Sequence, residues 1–243
     1  KQKQYPLREI VQVIFKNAQI LDITGPNEVF AQVNEFILKS DFYDGPAYQL
    51  TLVAKTKGPV IMSSGLKLIA DESFKTVKPS NLDTLLVAGG SGVYQARYQK
   101  NLLDFVKMQH AAARRVASIC SGTFILAQAG LLNGKQATTH WSVCQKLARI
   151  YPEIKVMPDK IYIKEGKLYS SAGVTAGIDL ALALVEEDFG RDMALRVAKQ
   201  LVVVMKRQGG QSQFSTHLAR QAAAGGFLKD TLKWMNQNPS QNM

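Results

Sequence analysis

The sequence is poor in the residues that build metal sites and disulfide frameworks. Its 243 residues hold two cysteines and three histidines. Cys120 and Cys144 are too few for a disulfide-stapled secreted fold, so the expected setting is reducing and cytoplasmic. His110, His140 and His217 are scattered and the two cysteines stand far apart, so no metal site is expected. Long apolar runs are missing as well. Leu180–Val185 and Leu201–Met205 fall well short of the roughly 20 residues that cross a bilayer, and no membrane partner is expected. Lys3, Arg8 and Glu9 interrupt the first residues, so no secretory signal is expected. Aromatic residues make up 8%, too little for a platform that stacks single-stranded nucleic acid. Gly89-Gly90-Ser91-Gly92 is not followed by Gly-Lys-Ser/Thr, and Gln95 stands where a dinucleotide fingerprint needs its third glycine. No cofactor is expected.

Apolar residues are 46% and charged residues 20%, the composition of a globular chain with one large domain. The formal net charge is +11, and from Arg191 onward eight Lys or Arg face two Asp. Excess positive charge at one end favours polyanions such as nucleic acid, although a solvated basic helix face gives the same pattern. The first residue is Lys1 and a polar tail follows Trp234, so the expectation is a piece of a longer protein.

Short β-branched runs alternate with helical periodicity. Strands are expected over Glu9–Phe15, Tyr48–Ala54, Leu66–Ala70, Asp83–Ala88 and Arg115–Ile119, with a hairpin of Ile161–Ile163 and Leu168–Ser170 around Glu165-Gly166-Lys167. Helices are expected over Asn27–Leu38, with Pro26 in the first turn, and over Leu102–Ala113, Phe124–Ala129, Ser142–Ile150, Thr175–Asp188 and Asp192–Val204. That alternation implies an α/β sandwich around a mostly parallel sheet, spanning residues 1–205. A polar, Gly-rich linker is expected over 206–226, and Phe227–Asn238 reads as the start of a further helix.

Several chemically capable residues fall at strand ends, which converge on one crevice in such a sheet. Cys120 stands where a buried strand turns into a helix. The helix N-terminus is expected to favour its thiolate and to make it more reactive than Cys144, which reads as a packing residue in mid-helix. His140 could take the thiol proton or hold a polar ligand. Asp22 lies just past the first strand, where a helix-cap or turn role serves as well. Gly89 and Gly90 could offer N–H groups to an oxyanion or a carboxylate. Ser121, beside Cys120, and Thr175, in the turn after Gly173, complete the expected ligand-binding set.

Taken together, these segments match a known pattern. Ala117-Ser118-Ile119-Cys120-Ser121-Gly122-Thr123, Ala129-Gly130-Leu131-Leu132 and Ala137-Thr138-Thr139-His140-Trp141 resemble the ThiJ/PfpI branch of the class I glutamine amidotransferase-like superfamily. Leu21–Pro26 and Gly173–Asp179 fit the same resemblance. It implies a flavodoxin-like sandwich with Cys120 at a nucleophile elbow, His140 as its partner, Asp22 as the acidic residue near the thiol and Gly90 as an oxyanion donor. Ala88-Gly89-Gly90 departs from that family's Pro-Gly-Gly. Arg207–Phe214 and Leu232-Lys233-Trp234-Met235 resemble the linker and first helix that follow the sensor domain of AraC-type transcriptional regulators. The resemblance therefore implies an effector-sensing domain that binds a small molecule, acts as a homodimer, and reaches DNA through a helix-turn-helix domain begun at 227–243. The alternative is a cysteine-dependent hydratase or hydrolase of the isocyanide hydratase type. A stress-linked deglycase or chaperone of the same fold is a third.

Overall fold

A computed structural model describes residues 6–39, 45–77, 82–205 and 210–211. Buried apolar runs form the strands β1 (Arg8–Val13), β2 (Tyr48–Ala54), β6 (Leu82–Val87) and β7 (Arg115–Ile119). Between β2 and β6 come the short strands β3 (Gly58–Ile61), β4 (Lys67–Ala70) and β5 (Glu72–Ser73). After β7 come β8 (Gln136–Ala137), β9 (Lys155–Val156), β10 (Tyr162–Glu165) and β11 (Leu168–Ser171). The main sheet runs β10-β11-β7-β6-β1-β2-β5. All its pairs are parallel except β10 with β11, the hairpin expected around Gly166. β3 with β4 and β8 with β9 form two small sheets of their own.

Helices cover both faces, so the strands bury side chains in both directions. Val11, Val13, Leu85, Val87 and Val116 enter one core. The helices α2 (Val93–Ala96), α3 (Lys100–Ala112), α4 (Thr123–Gln128) and α5 (Cys144–Ile150) contribute Val93, Phe105, Phe124 and Leu147 to it. Ile10, Leu86, Ala117 and Ile119 enter the other. There α1 (Leu21–Leu38), α6 (Ala176–Phe189) and α7 (Arg191–Gln200) supply Val29, Leu184 and Val197. The alternation along each strand is the period of two that separates the faces of a pleated sheet. The expected mostly parallel, flavodoxin-like architecture is what forms.

At the N-terminal end of β7 the chain buries charge. Arg115 is 1% exposed and reaches Asp188 at 2.5 Å, while Arg114 reaches the same carboxylate at 2.7 Å. The Tyr48 hydroxyl donates to Asp188 at 2.7 Å. This ionic knot ties α6 to β2 and β7 at the end of the sheet remote from the crevice.

Most element ends shift by one or two residues from expectation, and three larger departures have a physical cause. Pro26 does not open the first helix, because α1 begins at Leu21 and runs through it. A proline there leaves the carbonyl of Asp22 without its helical donor. The buried Gln12 amide, reaching across from β1, donates to that carbonyl at 2.9 Å instead. The helix α7 stops at Gln200 rather than Val204, because Val202 turns left-handed (φ 56°). The Val203 N–H then closes on the Ala198 carbonyl at 3.0 Å in a C-terminal capping turn. Finally, Ser142–Ile150 divides into a 3-10 turn, Trp141–Val143, followed by α5, so Cys144 opens a helix instead of sitting in its middle. Of the stretch expected as a linker, Gly210 and Gln211 are described. The rest of it, and the helix expected over Phe227–Asn238, lie outside the described residues.

Candidate functional site

The carboxyl ends of β1, β6, β7 and β11 meet at one edge of the sheet, and the residues just beyond them form the site. Ile119 is the last extended residue of β7 (φ −114°, ψ 133°), and Cys120 then turns sharply with φ 56° into a 3-10 turn that leads into α4. For a residue with a Cβ this conformation costs on the order of 1–2 kcal/mol, so the surroundings must impose it. Glycines make the room. A Cβ at Gly173 (φ 87°) would fall inside Cys120, and one at Gly89 would lie 2.8 Å from the Cys120 Cβ. Two hydroxyls hold the elbow from behind: Thr139 Oγ1 donates to the Cys120 carbonyl at 2.8 Å and Thr123 Oγ1 at 3.1 Å.

Asp22, in the first turn of α1, is fully buried. Its Oδ2 accepts the Gly89 N–H at 3.0 Å and its Oδ1 the Val174 N–H at 2.7 Å. Val174 takes a left-handed φ of 53°, rare for a β-branched residue, in the turn where that N–H meets the carboxylate. Asp22 also lies near enough to the Cys120 thiol for each group to shift the other's proton. One carboxylate thus pins the loop after β6, the turn before α6 and the elbow after β7. Burial raises its pKa to about 6, against the opposing pull of the N–H groups of Val174 and Gly89 and of the thiol.

The thiol does not follow expectation. Burial first, and then the negative charge of Asp22, push Cys120 up to about 12, although hydrogen bonds from Ser121 pull the other way. The helix N-terminus is present, but desolvation and a like charge outweigh it. Cys144 is also buried and also raised by burial.

The glycine N–H groups are occupied. Gly89 donates to Asp22, and Gly90 donates to Ser121 Oγ at 2.9 Å. In this structure they brace the site instead of facing a ligand. His140 lines the same cavity as Cys120, but its Nδ1 pairs with Ser142 Oγ at 2.7 Å. Among the described residues no hydrogen bond joins it to the thiol. Burial lowers the pKa of His140, so the ring is neutral near pH 7.

The Cys120 cavity has a volume of about 270 Å³, and Gln19, Ser91, Tyr94, Ser142 and Val143 line it beside the residues above. Among the described residues that line it, none is Lys, Arg, Asp or Glu. The outer face of Tyr94 is covered by Lys146, whose Nζ lies 3.5 Å from the ring centre. Thr175 does not reach this cavity. It lines a neighbouring cleft of about 290 Å³, with His140 and Val174 shared between the two and Gln211 on its wall. Among the described residues no group of three or more His, Cys, Asp or Glu is placed to hold a metal ion, and no helix is long and apolar enough to cross a membrane.

Asp22, Gly89, Gly90, Cys120 and Ser121 are thus brought together, with His140 at the rim and Thr175 next door. Val174, Gln12 and Tyr94 were not foreseen. Gln12 carried a faint signal, a polar residue inside an otherwise apolar strand. Val174 contributes through its backbone, which leaves no mark on residue type.

Comparison with known proteins agrees with this geometry. A model of the DJ-1/PfpI family matches residues 8–187. Isonitrile hydratase of Pseudomonas putida is 38% identical over 191 residues, covering 78% of this chain and 75% of that protein. The HTH-type transcriptional regulator CdhR of Pseudomonas aeruginosa is 28% identical over 174 residues, covering 72% of this chain and 51% of the regulator. The chain therefore spans about half the length of that regulator. Among solved structures, a ThiJ/PfpI family protein from Pseudomonas syringae superimposes with a TM-score of 0.72 at 24% identity, over 90% of this chain and 88% of that one.

Proposed function

The chain belongs to the DJ-1/PfpI family, and on that premise we propose that it is the effector-sensing domain of an AraC-type transcriptional regulator. In this reading DNA is contacted by a separate helix-turn-helix domain. The observation that carries it is the state of the elbow. Gly89 and Gly90 have their N–H groups engaged, burial and the Asp22 charge both push the Cys120 thiol up, and among the described residues His140 pairs with Ser142 and makes no hydrogen bond to the thiol. A nucleophilic cysteine is helped by a lowered pKa or by a base paired with the thiol. What remains is a small cavity that can bind. Its uncharged lining suits a small, uncharged, polar effector held by Ser91, Ser142, His140 and the Cys120 thiol. Similarity to CdhR supports the same reading.

A second reading is a cysteine-dependent hydratase, favoured by the 38% identity to isonitrile hydratase over three quarters of that protein. Wild type and Cys120→Ala, incubated with a panel of isonitriles and small polar metabolites, separate the two. The sensor reading expects saturable binding, seen as a rise in melting temperature, with no product from either protein. Turnover that depends on Cys120, at about 1 s⁻¹ or faster, overturns it.

We further propose a homodimer in the cytoplasm. Two-fold pairing is the commonest soluble assembly, and two free cysteines suit a reducing compartment. A 26.8 kDa species in light scattering at micromolar concentration overturns the dimer.

A further inference from the structure

Gly210 and Gln211 lie beyond the last helix and return to the domain. Gly210 passes so close to Asp159 that a Cβ on it would fall inside that residue. The Gln211 N–H donates to the Asp159 carbonyl at 3.0 Å. The Gln211 side chain is 2% exposed. Its Nε2 donates within a slot of three acceptors: Lys160 O at 2.9 Å, Thr139 O at 3.0 Å and Thr138 Oγ1 at 3.1 Å. Its Oε1 is buried with no hydrogen-bond partner among the described residues. Burying a long polar side chain forfeits rotamer freedom, and three acceptors offset that loss.

The slot adjoins the elbow. Thr139 accepts from Gln211 through its carbonyl and donates to the Cys120 carbonyl through its hydroxyl. Thr123 Oγ1 bridges the carbonyls of Thr138 and Cys120, at 3.0 and 3.1 Å. A single residue therefore separates the buried amide from the backbone of Cys120.

We propose that the Thr138–Thr139 slot is a docking site for the chain's own Gly210–Gln211 segment, with Gln211 as the anchoring side chain, and that docking is coupled to the Cys120 elbow through Thr139. The orphaned Oε1 keeps the anchor reversible, because release to water satisfies it. Undocking loosens Thr139 and with it the carbonyl of Cys120. Coupling between two sites is reciprocal, so a ligand that fixes the elbow favours the docked segment. This supplies regulation of the same site and rests on the sensor reading only for its biological use.

The test uses the whole 243-residue chain and reads neither effector binding nor turnover, so its failure leaves the sensor reading standing. Trypsin cleavage after Lys206 and Arg207 is timed, and iodoacetamide labelling of Cys120 is followed by mass spectrometry, in wild type, Gln211→Ala, Gly210→Val and Thr139→Val. Melting curves show that each variant is folded. Gln211→Ala and Gly210→Val are expected to speed both cleavage and Cys120 labelling several-fold. Thr139→Val is expected to speed labelling and, because the coupling is reciprocal, to speed cleavage as well but less than Gln211→Ala does, and adding Gln211→Ala to it should raise labelling no further. Unchanged cleavage in both tail variants removes the anchor. Faster cleavage with unchanged labelling, or labelling effects that simply multiply in the double variant, removes the coupling.

Discussion

Cys120 and Asp22 bias each other's protons in opposite senses: the charge of Asp22 resists ionisation of the sulfur, while the thiol favours the ionised carboxylate.

Removing that charge should release the thiol. At pH 8 a cysteine near 12 carries on the order of a thousandfold less thiolate than an ordinary one, so wild-type Cys120 should label slowly with iodoacetamide. Asp22→Asn is expected to move the rise of the labelling rate to lower pH. Cys144, raised by burial and not by Asp22, should keep its wild-type profile in the same digest. Identical Cys120 profiles in the two proteins would show that burial alone holds the thiol.

Asp22 should also shape stability against pH. Its folded pKa of about 6 lies above the ordinary 3.8, so between these values the folded state holds the proton more tightly than the unfolded chain. The contribution is fully present below the ordinary value and is lost as pH rises through about 6, amounting to a few kcal/mol at most. Urea titrations at pH 4.5 and 7.5 are expected to show a smaller difference in Asp22→Asn than in wild type. The variant should be weaker at both, because its amide can accept only one of the N–H groups of Gly89 and Val174.

Two alanine substitutions separate crowding from backbone strain. Gly166 has φ 64° and open space around it, so Gly166→Ala should cost about 1 kcal/mol. Gly173 has φ 87° and Cys120 against it, so Gly173→Ala should cost about 3 kcal/mol or more and displace the elbow. Equal costs in urea unfolding would mean that the backbone of the elbow at Cys120 moves aside freely.

Asp188→Asn tests the remote end of the sheet. It leaves Arg115 buried with half-exposed Arg114 and without its main counter-charge. Breaking a buried pair costs on the order of 3–5 kcal/mol. Cys120 labelling well below the unfolding midpoint should be unaffected, since the knot lies at the other end of β7. A change there would tie the two ends together.

The strands were legible because β-branched residues in short runs bury on both faces, as Arg115–Ile119 does without an error at either end. The elbow was legible too, since a strand running into Cys120-Ser121-Gly122 leaves few other geometries. What escaped depends on residues distant in sequence. Pro26 reads as a helix start until Gln12 supplies the donor it lacks. The direction of the Cys120 shift reverses because burial and Asp22 outweigh the helix terminus. Gly89 and Gly90 read as ligand donors until Asp22 and the Ser121 hydroxyl take up their N–H groups. Gln211 stands in a polar stretch whose composition gives no hint that one side chain is buried.

The uncharged lining of the Cys120 cavity has a kinetic consequence. An uncharged molecule approaching it gains no electrostatic steering, so its rate of entry should scarcely change with ionic strength. The protein around it carries a net +11, and its dealings with polyanions should weaken steeply as salt rises. Occupancy of the cavity would then track how much of the solute is present, while contacts with polyanions would track the ionic environment, so the two inputs answer to different physical variables.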